Sequence, residues 1–394
     1  MIRKGLFFLL LFILPFQLGK HFFPPFSYLQ GVRVDYLSPT IYLIDTLILL
    51  LSILNLKELL LFFRKKVFIF IFLLIAINII FSQSKYLSLY GLLRMIEFFI
   101  LIFLGKKIMK YLSPRSIVIS FLSSGLIELF LCLLQFYNKS SIQGIFYFIG
   151  ERLFTLSTPG IAKATINGIE FLRPYGSFSH PNSMAGFYLL IYFFVLSYKK
   201  FNKFIFLKYF SLSIFTLLIF ISFSKVAIVT FLILNTTHWM LNTKIKCPSC
   251  KIARIFIPIA MSLVFLQAIT DPLTIQKRIE LLKNSWTIII KHPLFGTGVN
   301  SYLLAQSQIK SNFYLFFNQP VHNIYLLFIS EFGLISSGLF LYLNRKILGG
   351  FKKNSLLILS VVMITGLFDH YWITLVQNFY LIAVVFSISF QDRS

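Results

Sequence analysis

The chain has 394 residues, of which 58% are hydrophobic and 18% aromatic, while only 12% are charged. Globular chains carry about 25% charged residues, and 49 phenylalanines exceed what soluble cores of this length can hide, so the composition excludes a soluble protein. Three cysteines exclude a disulfide scaffold, and a net charge of +25 would indicate nucleic acid only if the 37 basic residues gathered on one soluble face. They lie instead in small groups between apolar runs, the pattern of a polytopic membrane protein.

Twelve apolar runs approach the ~20 residues a helix needs to span a bilayer, at 5–19, 40–56, 67–84, 86–104, 116–137, 182–198, 204–222, 225–241, 252–270, 323–343, 355–369 and 373–390. The first is short and contains Pro15, so a cleaved signal peptide is a rival reading, but no small-residue cleavage site precedes Lys20 and His21, and the run reads as a membrane helix. With the N-terminus inside, five alternate connections are basic and cytoplasmic: Lys57, Arg64, Lys65 and Lys66; Lys106, Lys107, Lys110 and Arg115; Lys199, Lys200, Lys203 and Lys208; Lys244, Lys246, Lys251 and Arg254; and Arg345, Lys346, Lys352 and Lys353. Both termini are then cytoplasmic. No internal repeat and no symmetry between the halves is visible. The expectation is one all-α polytopic domain over 1–394, with two long outer loops at 138–181 and 271–322.

The first outer loop ends in Arg173-Pro174-Tyr175-Gly176-Ser177-Phe178-Ser179-His180-Pro181-Asn182, where Asn182 or Ser179 is placed to cap the next helix, with Pro181 in its first turn. The second begins with an amphipathic pattern: Ile275, Ile279, Leu282, Trp286 and Ile289 or Ile290 share one face, as expected of a helix lying on the membrane surface. Arg278 borders that stripe, whereas Lys277, Glu280 and Lys291 point to water. His292-Pro293-Leu294-Phe295-Gly296-Thr297-Gly298 ends the helix with a turn signal too short for a phosphate loop.

The loop closes at Pro320-Val321-His322-Asn323, with Asn323 as the N-cap, so that His322 sits at the positive end of a helix. That field keeps the ring neutral, able to accept a proton, and attracts anions. Alone, such a histidine is more often a plain interfacial residue. Lys225, in the short Ser222-Phe223-Ser224-Lys225 turn, reads alone as a snorkelling anchor. Together Arg173, Lys225, Arg278 and His322 suit a phosphate-bearing lipid headgroup.

Three further features carry less. Cys247-Pro248-Ser249-Cys250 is half a zinc knuckle, but the only other cysteine, Cys132, lies in a membrane helix. Arg94 and Glu97, three apart on one helix, pair most simply with each other, and Glu128 has no evident partner.

In order and spacing, several of these pieces resemble the O-antigen ligase and polymerase superfamily of integral-membrane glycosyltransferases. They are Arg173-Pro174-Tyr175-Gly176-Ser177-Phe178 with Pro181-Asn182, Ser224-Lys225, Arg278 with Trp286, His292-Pro293-Leu294-Phe295-Gly296-Thr297-Gly298, and His322-Asn323-Ile324-Tyr325 with Glu331-Phe332-Gly333-Leu334. The motifs cover roughly residues 165–345. The resemblance implies a GT-C-like architecture of about twelve membrane helices. It implies transfer of a glycan from an undecaprenyl pyrophosphate carrier to an acceptor hydroxyl (glycan, lipid core or protein) on the outer face of the cytoplasmic membrane. Membrane lipid and the lipid-linked donor are then the partners, and nucleic acid is not.

By the same resemblance His322 is the general base, Arg278 and Lys225 hold the pyrophosphate, and Arg173, Asn182 and Asn323 line the substrate site. At the Ser-Lys turn the family commonly has Arg; Lys225 keeps the charge but lacks the bidentate fork, and Arg173 can share the task. No metal and no cofactor is then required, and the outer acidic residues Asp35, Glu151, Glu170, Asp271, Glu280 and Asp369 are scattered, with no Asp-rich motif.

A flippase or secondary transporter for a lipid-linked oligosaccharide would also use outer cations. It would further need ionisable residues near the midplane, where only Arg94, Glu97 and Glu128 qualify. A non-catalytic envelope scaffold leaves the ordered outer motifs unexplained.

Overall fold

A computed structural model describes residues 2–166, 169–242, 256, 259–260, 272–310, 318–348 and 353–389. Cys247, Cys250, Asp271 and most of the predicted span 252–270 lie outside the described residues. The described chain is helical: α1 (Ile2–Ile13), α2 (Leu43–Leu54), α3 (Leu56–Phe63), α4 (Lys66–Ile80), α5 (Lys85–Tyr111), α6 (Pro114–Asn138), α7 (Pro181–Ser197), α8 (Ile205–Ile221) and α9 (Lys225–Asn242). After these come α10 (Pro272–Lys291), α11 (Tyr302–Ser307), α12 (Ile324–Leu348), α13 (Lys353–Gly366), α14 (Tyr371–Thr374) and α15 (Val376–Ser389).

Three short antiparallel hairpins, which hydropathy did not reveal, join Gly19–His21 to Thr40–Tyr42, Tyr28–Leu29 to Val32–Arg33, and Lys163–Ile166 to Ile169–Leu172.

Among the described residues four helical stretches are long and apolar enough to cross a membrane: Lys85–Ile108, Pro114–Asn138, Lys199–Ile221 and Ile324–Tyr342. The pair α2 and α3 makes a fifth if it is one broken span. Shorter apolar helices occupy Lys66–Ile80, Pro181–Ser197, Ser355–Gly366 and Val376–Ser389. The predicted run 40–56 is therefore not one straight span: the chain turns by 94° between α2 and α3. Asn55 stabilises that turn, donating to Leu51 O at 2.7 Å and accepting from Lys107 Nζ at 2.9 Å. The predicted first span ends early too, at Ile13, two residues before Pro15.

Helix α7 is the centre of the molecule. Every residue in it but Asn182 and Leu196 is buried, among α8, α9, α13 and α15. Its all-round apolar surface is what a helix surrounded by other helices requires. Phe187, Tyr188, Phe193 and Phe194 pack there with Phe215 of α8 and with Tyr380 and Val384 of α15. The polar N-terminus of α7 is thereby fixed against the ends of its neighbours.

Arg94 on α5 bonds Glu97 at 2.8 Å, as its spacing predicts, within a larger network. Asp45 of α2 accepts from it at 2.7 Å, Tyr90 Oη at 3.0 Å and Tyr380 Oη at 2.8 Å, and Thr40 O accepts as well. A cation inside an apolar bundle is tolerable only when compensated in this way.

The two glycine-bearing motifs of the C-terminal half form a backbone latch. Helix α12 breaks at Gly333 (φ 75, ψ 167), and the carbonyls exposed there accept from the His292–Gly298 segment. Thr297 N donates to Ser330 O at 2.9 Å and Gly298 N to Glu331 O at 3.0 Å, while Leu334 N donates back to Pro293 O at 2.7 Å. Asn78 of α4 adds bonds to Phe295 O and Glu331 O at 2.8 and 2.7 Å. A Cβ on Gly333 would collide with Leu294 O in a conformation only glycine adopts readily. Gly333→Ala is expected to cost ~3 kcal/mol or more, seen as a lower midpoint of thermal unfolding in detergent; an unchanged midpoint would mean that the latch does not hold α12.

Candidate functional site: a cationic basin around His322

The site forms where five pieces of chain converge: the segment from Arg173 into α7, the turn between α8 and α9, α10, the start of α12, and the link between α13 and α14. His180, not Asn182 or Ser179, caps α7; its Nδ1 accepts the Asn182 amide at 3.1 Å, and Pro181 occupies the first turn. This frees the Asn182 side chain for the site. Its Oδ1 accepts from an Arg173 guanidinium nitrogen at 2.6 Å, and its Nδ2 donates to Asp369 Oδ2 at 2.9 Å. Arg173 also donates through Nε to Ser222 O at 2.9 Å, at the end of α8. Asn182 therefore couples a guanidinium to a carboxylate.

That carboxylate lies beside the ring of His322. His322 Nδ1 is 3.5 Å from Asp369 Oδ1, an ionic contact slightly longer than a hydrogen bond, and this nitrogen has no other partner. Asp369 Oδ1 also accepts the His370 amide at 2.8 Å. The opposite ring nitrogen, Nε2, contacts Gln319 Oε1 at 3.2 Å; a flip of that amide presents a donor instead, so the contact suits Nε2 as an acceptor. Asn323 caps α12, its oxygen accepting from Tyr325 N at 2.9 Å and Leu326 N at 3.0 Å while its amide donates to Leu367 O at 3.2 Å. His322 is thus held at a helix start, partly exposed.

The electrostatics divide the basin in two. Burial pushes the Asp369 carboxyl up, but His322 beside it and the rings of His370 and His180 outweigh this and hold it well below the usual carboxylate range. It is ionised at neutral pH. Burial, with Arg173 acting in the same sense, pushes His180 down to about 3, and burial likewise pushes His370 down to about 3. Both are neutral imidazoles at neutral pH. Burial lowers Arg173 only to about 10, so its charge persists. Arg278, half-buried on α10, bears on both Arg173 and His370, and Lys225, half-buried at the start of α9, lies within the field of Arg173. The arrangement can hold an anion of high charge beside a histidine oriented by a carboxylate.

On α10 the apolar stripe Ile275, Ile279, Leu282, Trp286 and Ile290 is exposed, and Leu281, Ile288 and Ile289 face inward. The stripe is turned away from the protein, and Arg278, half-buried, lies at its edge.

Asp369 and His370 escaped the sequence reading. The available signal was an acid and a histidine side by side between two apolar runs. With His322 they offer ligand atoms within 4.8 Å of one another, the one metal-type cluster of His, Cys and carboxylates among the described residues. The surroundings oppose a cation, because both Asp369 oxygens already accept N–H bonds and Arg173 and Arg278 press on the basin.

Fold and site together define a helical, membrane-type protein with a partly buried cationic basin among the described residues. Residues 179–343 match the family described as O-Antigen ligase, which supports a place in the O-antigen ligase and polymerase superfamily. No curated protein and no solved structure matches the chain. The matched segment contains Lys225, Arg278 and His322, whereas Arg173 and Asp369 lie beyond it and reach the basin through the fold. The match supports a function of the O-antigen ligase or polymerase type in general.

Proposed function

We propose that this protein moves a glycan from an undecaprenyl pyrophosphate carrier to an acceptor hydroxyl at the outer face of the cytoplasmic membrane, without a metal. The observation that carries the reading is the chain of contacts Arg173–Asn182–Asp369–His322, with Arg278 and Lys225 close enough to act on Arg173 electrostatically. Asp369 favours the tautomer with hydrogen on Nδ1, leaving the Nε2 lone pair to take the proton of the acceptor hydroxyl. The alkoxide-like oxygen attacks the anomeric carbon, the bond from that carbon to the phosphate oxygen breaks, and the pyrophosphate leaves with its electrons. Arg278 and Arg173 supply guanidinium forks for the charge that develops, and Lys225 a point charge.

The membrane reading includes twelve crossings, both termini inside, and the basin outside. It rests on the five basic connections and on α10 with its exposed stripe. Transport is less favoured, because Arg94 and Glu97 are hydrogen-bonded with Asp45 and Tyr380 into one compensated network, as a structural buried cation requires.

The test is incubation of purified protein with a synthetic undecaprenyl-pyrophosphate oligosaccharide, with and without EDTA. Released lipid pyrophosphate and a transferred or lengthened glycan are expected in equal amounts under both conditions, with turnover lost in Arg278→Ala. Turnover that EDTA abolishes and Zn2+ restores would assign His322, Asp369 and His370 to a metal instead. The product separates the two family activities, since a polymerase lengthens lipid-linked glycan and a ligase moves it to another acceptor.

A further inference from the structure

Helix α6 buries a carboxyl and a carboxamide, Glu128 and Gln135, with no exposed surface at all. They stand seven residues apart and so on one face of the helix. That face meets the segment between Arg173 and the start of α7. Gln135 Oε1 accepts the amides of Tyr175 and Gly176, each at 2.9 Å, and its Nε2 donates to Gly176 O at 3.0 Å and Glu151 Oε1 at 2.8 Å. Glu128 Oε2 accepts the Ser177 amide at 2.9 Å, and Oε1 accepts the Ser177 hydroxyl. Gly176 has φ 58, and a Cβ there would strike Glu128, so the carboxylate lies directly on the loop backbone.

A carboxyl buried in a membrane bundle is costly, and a leucine would suit α6 better unless the carboxyl meets a need. The need here is three consecutive buried amides, Tyr175 to Ser177, which have no secondary structure to pair with. Upstream, Arg173 N is fixed to Ala162 O at 3.1 Å; downstream, His180 caps α7. The backbone is thus held on both sides of Pro174, and the guanidinium emerges at the one place from which it reaches both Ser222 O and Asn182.

We infer that Glu128 is a positioning residue for anion binding: through Ser177 and the loop it holds the Arg173 guanidinium in the basin, although it touches neither Arg173 nor substrate. The inference rests on the reading of Arg173 as a pyrophosphate ligand. It separates a buried carboxyl that shapes binding of the lipid pyrophosphate from one that carries protons.

The test is a double-mutant cycle of Glu128→Ala and Arg173→Ala in the full chain, read both as donor KM and kcat in proteoliposomes and as binding of undecaprenyl pyrophosphate alone. Glu128→Ala is expected to raise donor KM and the Kd for undecaprenyl pyrophosphate about tenfold and to lower kcat as well, because Arg173 meets both the bound pyrophosphate and the charge that develops as it leaves. Glu128→Gln is expected to restore KM, because its amide oxygen accepts Ser177 N and its nitrogen donates to the Ser177 hydroxyl, which turns to Pro15 O, 3.3 Å away. The double variant should bind no more weakly than Arg173→Ala, since Glu128 acts through that side chain. Penalties that multiply would overturn the inference, as would full binding in Glu128→Ala. Should Glu128→Ala not fold, Ser177→Ala carries the same cycle with a smaller rise in KM. Coupled binding without any transfer would leave the inference standing and remove the transferase reading; additive binding removes the inference whatever the transfer assay gives.

Discussion

His322→Ala is expected to lower kcat for glycan transfer by about a thousandfold while leaving the folded protein in the membrane and donor KM nearly unchanged. The ring is partly exposed and contributes little to the core, so its removal leaves the bundle intact. What is lost is the acceptor of the hydroxyl proton. Without it, the hydroxyl must attack in its protonated form, and the developing positive charge on that oxygen is opposed by Arg278 and Arg173 nearby. The donor site, built from those cations, survives. Transfer measured in proteoliposomes with saturating donor checks this, and a kcat within tenfold of the parent would remove His322 from the mechanism.

His322 stood out in the sequence because several local signals coincide there, a histidine, a cap residue and a helix start at the end of a long loop, and the fold sets it beside Asp369. Periodicity gave the place of Arg278 at the edge of an apolar stripe, while the role expected of it came from the resemblance. Asp369 did not stand out. Its importance comes from a contact across 47 positions of chain, made because α12 and α13 pack with their ends together, and no spacing rule reports such a meeting. Asn182 is the converse case. Local spacing offered Asn182 or Ser179 as a cap, a role that His180 fills, while the resemblance set Asn182 in the substrate site, and its side chain links Arg173 to Asp369.

The fold shows the same division. Apolar runs located helices because burial of backbone polar groups in lipid leaves few alternatives. The runs could not report the 94° turn between α2 and α3, which depends on Asn55 bonding a distant Lys107, nor the break at Gly333, which a neighbouring loop completes. Glu128 looked partnerless for the same reason: its partners are the amide and hydroxyl of Ser177, 49 residues away. Polar groups inside apolar helices are thus where hydropathy is least informative and where the tertiary ties of this chain concentrate.

Asp369→Asn is expected to be the second most damaging change, lowering kcat about a hundredfold or more, because an amide cannot satisfy all three neighbours that the carboxylate serves. Asp369 Oδ1 faces His322 Nδ1 and the His370 amide, while Oδ2 accepts from Asn182 Nδ2. If the new amide turns its oxygen to Asn182, its NH2 meets His322 Nδ1 and drives that ring to the tautomer with hydrogen on Nε2, where the lone pair is needed. If it turns its oxygen to His322, its NH2 meets Asn182 Nδ2, donor against donor, and Asn182 can be relieved only by flipping its oxygen away from Arg173. The first arrangement lowers kcat alone; the second also raises donor KM, so the KM of Asp369→Asn reports which arrangement is adopted. Full activity in this variant would show that His322 needs no carboxylate to orient it, and the link from Arg173 through Asn182 to His322 would then be structural only.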